Sequence, residues 1–491
     1  MINIDKNIII ILASIFVVIM PVLTLVTGVY YYAFLAILLL LSIKYIGNRS
    51  VIFILALWSV AIGIKAPIGR FMVSDLLYFW VSLISLLAIS LDRKSYKLSL
   101  TYLDKLIILF SINLLIIIFF RGSGLYILGD DKIGGGAYLL WIASLTGLFF
   151  SKYVNLSLKQ AKLLILGWII LPLLNPFLEW LTIKSGGSLY VITKYFNVSY
   201  ERLYETLVQE TEMIRSSTAP ISTFFQIMGI FILSRRQNLF LFIIFSLIGA
   251  AMIMFSGFRS YLVAYSFITF LSAFFIYKRR SSLIIFSLIT GFLSLVFIAL
   301  FIEYMPFSIQ RTLSFIPGLN VDIVALENAN ETTLWRVKIW QFALADITKY
   351  AIIGKGLAWE INTWTNLFST GWYVTPEFFY ANHNYHSGPI TLIIDYGLPG
   401  TIIWLLLQIY IFKQLRKSFK YAIFTSSKSI ISVFYIYGCI MIFWDILHFW
   451  LIYGQTQWMQ RFISYFILLR ILQPVVDKIY LSNQKNIIKV Q

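Results

Sequence analysis

The run LIIFSLITGFLSLVFIALFI, Leu283–Ile302, holds no charged residue, and it is preceded by Lys278, Arg279 and Arg280 and followed by Glu303. An apolar run of roughly 20 residues is long enough, as a helix, to cross a bilayer's hydrocarbon core. Working outward, further apolar windows fall at 8–26, 30–47, 51–68, 72–91, 103–120, 135–151, 160–180, 218–234, 238–256, 260–277, 389–412, 429–450 and 458–475. With the opening run they make about fourteen expected transmembrane helices. The whole composition agrees. Of 491 residues, 60% are hydrophobic, 18% aromatic and only 12% charged. A soluble domain carries about a quarter charged residues, so that class is excluded. Disorder, which needs low hydrophobicity, is excluded too. The expected fold class is an all-α polytopic membrane protein.

The formal net charge is +18. In a membrane protein such an excess belongs to cytoplasmic loops, so no nucleic acid is expected as a partner. With the N-terminus in the cytoplasm, the even-numbered connections carry the basic clusters. They hold Lys44 and Arg49; Arg93, Lys94 and Lys97; Lys152 and Lys159; Arg235 and Arg236; Lys278, Arg279 and Arg280; Lys413, Arg416, Lys417 and Lys420. The tail adds Lys478, Lys485 and Lys489, which places the C-terminus inside as well. Met1 to Lys6 and the Ile-rich run behind them lack a small-residue cleavage pattern and read as a retained first helix. The single cysteine, Cys439, allows neither a disulfide within the chain nor a cysteine-based metal site.

Two long connections fall on the outer side, at about 181–217 and 303–388. The chain therefore divides into helices 1–11 over 1–302, a large extracytoplasmic segment of short helices over 303–388, and helices 12–14 with a cytoplasmic tail over 389–491. A connection as long as the second is folded or functional. In it Val337, Trp340, Leu344 and Ile347 recur at helical spacing, and Gly354-Lys355-Gly356 ends the pattern. Chemistry on the outer face has no cytosolic nucleotide to draw on and must use a donor already activated and already across the membrane.

The chain has three histidines, and two of them, His383 and His386, stand three apart at the end of that segment. If the next helix has already begun there, they share one face. Their spacing admits a metal, with Glu377 as a distant third ligand. A neutral imidazole that accepts a hydroxyl proton fits better, and no metal or other cofactor is expected. Arginines form the second constellation. Arg215 precedes Ser216-Ser217-Thr218-Ala219-Pro220, a helix-start signal whose exposed N–H groups favour anions. Arg259 lies in the tight link Ser256-Gly257-Phe258-Arg259-Ser260, Arg336 on the outer helix in Trp335-Arg336-Val337-Lys338-Ile339-Trp340, and Arg311 nearby in sequence. Each alone suits a lipid headgroup, and together with the histidines they suit a pyrophosphate clamp. Asp75, Glu179, Asp395 and Asp445 lie in or at the ends of spans, where a cap or ion pair competes with a functional role. His448 is expected to make a structural hydrogen bond.

These residues resemble the O-antigen ligase and polymerase superfamily of bacterial polysaccharide assembly. The ligase signature is a His followed by Asn, Ser or Gln, nine residues, a Gly, and a further small residue after two more. His386-Ser387, Gly388 to Tyr396, Gly397 and Gly400 match it. His383-Asn384 carries the commoner His-Asn text but stands twelve residues before Gly397, so the family histidine is placed on His386 with His383 as its rival. The Ser256 to Arg259 link is similar to the family's Ser-Arg link, with two residues inserted. Arg336 to Trp340 followed by Gly354-Lys355-Gly356 is similar to its Arg-x-x-x-Trp helix and Gly-x-Gly turn, and Arg215 to its Arg before a mid-chain span. The resemblance covers about residues 200–410.

It implies a glycosyltransferase of the GT-C type in the bacterial inner membrane, acting in lipopolysaccharide or related polysaccharide biosynthesis. His386 and His383 would be catalytic. Arg215, Arg259, Arg336, Arg311 and Trp340 would bind diphosphate and glycan. The partners implied are an undecaprenyl-diphosphate-linked oligosaccharide donor and acceptor, the bilayer, and a chain-length regulator. Transfer would invert the anomeric centre without a metal. A polymerase joining repeat units is preferred, on the number of spans and the length. The alternatives are a ligase that transfers the finished glycan to lipid A–core and, from another class, a lipid-linked oligosaccharide flippase. A flippase would carry charges inside its spans and short outer loops, the opposite of this pattern.

Overall fold

The computed structural model describes residues 49–65, 72–91, 100–125, 130, 132–196, 217–360, 375–426 and 429–488. The first two expected spans and Arg215 lie outside them. Every later apolar window coincides with helix. Six helical segments among the described residues are long and apolar enough to cross a membrane: Tyr102–Arg121, Leu158–Lys184, Arg259–Ile276, Arg280–Tyr304, Gly388–Thr425 and Ile430–Leu451. Arg49–Ile62 and Leu239–Met254 are apolar but shorter. The protein is thus a mostly helical membrane protein; six candidate spans stand among the described residues, against about fourteen expected for the whole chain. The only paired strands among the described residues are Lys132–Ile133 and Trp359–Glu360, antiparallel.

The helices begin and bend where local chemistry dictates. Thr101 and Asp104 form a reciprocal cap on Tyr102–Arg121, and Ser157 and Gln160 do the same for Leu158–Ile170. The second of these tightens into a 3₁₀ turn at Leu171–Leu173, where Pro172 has no N–H to give. Polar side chains tie helices together inside the bundle. Gln226 donates to Tyr265 O (3.0 Å) and Thr269 Oγ1 (2.7 Å) and accepts from Tyr437 OH (3.0 Å), joining three helices. Lys152 pairs with the fully buried Asp104 at 2.8 Å. Helix exposure differs sharply. The most apolar window of Arg280–Tyr304 is 11% buried within the protein, against 67% for Ile430–Leu451. The first therefore presents its side to lipid, and the second forms the centre.

The segment over 303–388 departs from the expected short helices. Its main element is a 23-residue helix, Ile323–Ala345. Asp322 starts it by accepting from Val324 N at 2.7 Å. Its apolar positions Ala325, Ala329, Ile339 and Ala343 are buried, while the polar run Glu327 to Glu331 obscured its first turns in the sequence. Phe307–Leu313, Ile347–Tyr350 and Pro376–Ala381 are the short helices beside it.

The helix that follows the two histidines starts at Gly388, turns once through a π-helical stretch at Leu392–Tyr396, and continues from Gly397 to Thr425. Pro399 has no N–H to offer the Asp395 carbonyl, and Leu398 N donates instead to Ala351 O at 2.6 Å. The freed carbonyls of Ile394 and Asp395 accept from Lys355 N (2.6 Å) and Gly356 N (3.1 Å). Gly354 sits at φ 92°, and a Cβ there would lie 2.5 Å from Asp395 O, so only glycine fits. The Gly-x-Gly turn is thereby clasped to the helix one turn beyond the histidines.

Candidate active site

The chain from Asn382 to Ser387 is not yet helix. His383 and His386 both adopt positive φ, 58° and 55°, a conformation few non-glycine residues take. The expectation that they share a helix face therefore does not hold: the helix begins only after Ser387. Their side chains enter different surroundings. Trp340 Nε1 donates to Tyr385 O at 2.8 Å and holds the stretch between them.

His383 is buried, and its Nδ1 lies 2.7 Å from Asp395 Oδ1. Tyr385 OH donates to the same oxygen at 2.8 Å. Asp395 and Tyr385 are fully buried. A neutral imidazole bonded this way carries its proton on Nδ1, so the carboxylate fixes the tautomer. His383 lines a cavity of about 980 Å³ together with Trp359, Asn382, Gln460 and Arg461.

His386 is held in an aromatic box. Ring centroids of Tyr453, Trp335 and Phe379 lie 4.9, 5.2 and 6.0 Å from its own. Both ring nitrogens are buried and have no hydrogen-bond partner among the described residues, and the same holds for Arg336 Nε. Burial pushes the imidazole down to about 4, and the Arg336 charge adds to the shift. Arg336 is itself lowered, by burial first; Tyr453 pulls it up and the Arg259 charge lowers it further. Its guanidinium keeps its charge regardless. Arg259, Arg336 and His386 thus form one electrostatic cluster. Burial, more than the neighbouring arginine, keeps the ring neutral.

The remaining expected residues sit around this cluster. Arg311 is buried, with Nη1 on Gly257 O (2.6 Å) and Nε on Asn328 Oδ1 (2.6 Å), so it fixes the link that carries Arg259. Trp340 acts on the histidine backbone. Arg215 is outside the described residues. His448, expected to make a structural hydrogen bond, has a buried Nδ1 with no partner among the described residues, and its ring stacks on Trp458 at 4.7 Å. The sequence missed the bond between Asp395 and His383, which stand twelve apart on either side of a helix start. It also missed Tyr453, which lies outside every motif. Only Asp395 carried a signal, as an acid two residues before Gly397.

A mostly helical membrane protein with arginines gathered around an uncharged imidazole offers a site suited to an anionic group. A family model described as O-antigen ligase matches residues 221–405, the segment that contains Arg259, Arg311, Arg336, His383 and His386. That match makes this segment similar to the O-antigen ligase and polymerase superfamily of glycan-assembly enzymes. No curated protein matches it.

Proposed function

We propose that the protein is a polysaccharide polymerase that joins undecaprenyl-diphosphate-linked repeat units on the outer face of the cytoplasmic membrane. The observation that carries this reading is His386 beside Arg336, each with buried nitrogen lacking a partner among the described residues. Buried polar groups are almost always satisfied, and exceptions concentrate where a substrate completes them. The length of 491 residues favours polymerase over ligase within the superfamily.

A sugar hydroxyl is a poor nucleophile. In the proposed step its oxygen bonds to the anomeric carbon of the donor as the bond from that carbon to diphosphate oxygen breaks. The hydroxyl proton passes to a ring nitrogen of His386, and the electron pair leaves with the diphosphate. Arg336 and Arg259, with Arg215, stabilise the charge that grows there. Arg311 and Trp340 position the link and the histidine stretch. Attack from the face opposite the leaving group inverts the centre in one displacement.

The test is incubation of the purified protein with lipid-linked repeat units. A ladder of longer lipid-linked glycans is the expected product. Transfer only to added lipid A–core would make the protein a ligase, and no new glycosidic bond with either acceptor would overturn the proposal.

A further inference from the structure

The last described helix, Thr456–Ile488, opens with a pattern that packing does not explain. Gln457, Gln460, Arg461 and Ser464 recur at i, i+3, i+4 and i+7, on one helix face. Between them Met459, Phe462 and Ile463 are buried in the bundle. The polar face lines the cavity of about 980 Å³ on whose other side stand His383 and Asn382. Gln460 Nε2 is buried there without a partner among the described residues, which leaves its desolvation cost unmet by any of them. Arg461, although inside the molecule's outline, is exposed to the cavity.

We propose that this cavity is the binding site for the saccharide that carries the attacking hydroxyl. The inference rests on the reading of the chain as a glycosyltransferase. Side-chain amides both donate and accept, which matches hydroxyls that do the same. Trp458 and Trp359 line the cavity too and offer flat apolar faces to a sugar ring. The volume lies within the usual range for a small-molecule site. Trp458 and Arg461 also line a second cavity of about 520 Å³, whose walls include the apolar Trp168, Met441 and Trp444. Trp458 and Arg461, shared by both walls, set the two cavities side by side, and both linings mix polar and apolar side chains. The stretch 382–386 contributes His383 to the saccharide side and His386 to the arginine side.

The experiment is titration calorimetry on the full chain in detergent. The probe is repeat-unit oligosaccharide released by mild acid from the lipid-linked pool that accumulates when the gene is deleted. We expect binding by the native protein, weakened at least about tenfold by Gln460→Ala and by Gln457→Ala, and unchanged by Arg336→Lys. Gln457 is exposed, so its variant keeps the fold even if the other does not. Equal binding by native protein and both glutamine variants, or no binding by the native protein, overturns the assignment. Polymerisation of lipid-linked units is read in parallel. Sugar binding with this pattern but no polymerisation would sink the proposed activity and leave the saccharide site standing; polymerisation with unaltered binding in the glutamine variants would do the reverse.

Discussion

His383 and His386 share a residue type, a backbone conformation and a stretch of six residues, yet they live in opposite chemical worlds. His383 is locked to a buried carboxylate and reinforced by a tyrosine hydroxyl. His386 touches aromatic rings and a cation, and neither of its nitrogens has a hydrogen-bond partner among the described residues. Burial with a bonded partner makes a side chain part of the scaffold. Burial without one leaves an unmet demand that a substrate can satisfy. On our proposed reading the first histidine is structural and the second chemical, and that reading can be broken in several ways.

The largest effect is expected from His386→Ala. Loss of a general base typically lowers the rate by about 10² to 10⁴-fold, so chain growth should fall by that amount while the amount of folded protein in the membrane is kept. His383→Ala should invert the pattern. It strips the partner from a buried carboxylate, which costs about 1–3 kcal/mol or more of stability, and should lower the melting temperature well before it matches the other variant's loss of turnover. If His383→Ala leaves stability untouched and removes activity, the two roles are exchanged.

Next comes Arg336→Lys. Charge survives, but the planar fork does not, and a roughly ten- to hundredfold loss of polymerisation is expected with normal folding. Activity near normal would remove Arg336 from the leaving-group site.

The pH profile is a subtler discriminator. An imidazole titrating at its usual value of about 6.5 would cost roughly tenfold in kcat/KM by pH 5.5. With His386 lowered to about 4, the free enzyme's acid limb should instead fall near 4. The same shift has a stability consequence. The folded ring binds fewer protons than the unfolded one between its ordinary value of about 6.5 and about 4, so its contribution to stability declines as pH falls through that window. A limb near 6.5 would mean that the titrating base is some other group or that the ring is open to water. The smallest effect expected is from Tyr385→Phe, which removes one of the two donors to Asp395 and should cost about 0.5–1.5 kcal/mol, with turnover preserved.

Much of this architecture was readable before any coordinates. The apolar windows located the long apolar helices among the described residues because hydrophobic runs of that length have few other uses. Arg259, Arg336 and His386, well over a hundred residues apart end to end, were picked from motifs and do converge. What was hidden has physical causes. The helix Ile323–Ala345 opens with exposed Ile323 and Val324 and then the polar run Glu327 to Glu331, so its apolar period shows only in the second half. The His383 and Asp395 pair depends on a π-helical turn and on a proline's missing donor, neither of which leaves a periodic trace. The polar face on Thr456–Ile488 was present at helical spacing, but hydropathy averaging over the window erased it.

The clasp between residues 351–356 and 394–398 is made by main-chain groups alone. It follows that evolution can rewrite most side chains in both strips without loosening the attachment of the outer segment. Four positions are exempt from that freedom. A methyl group at Gly354 or Gly397 would meet main-chain oxygen at 2.5 or 2.7 Å, one at Gly356 would meet the Tyr138 hydroxyl at 2.6 Å, and Asp395 holds His383 and Tyr385, so natural variation across the strips should be broad except at these four sites.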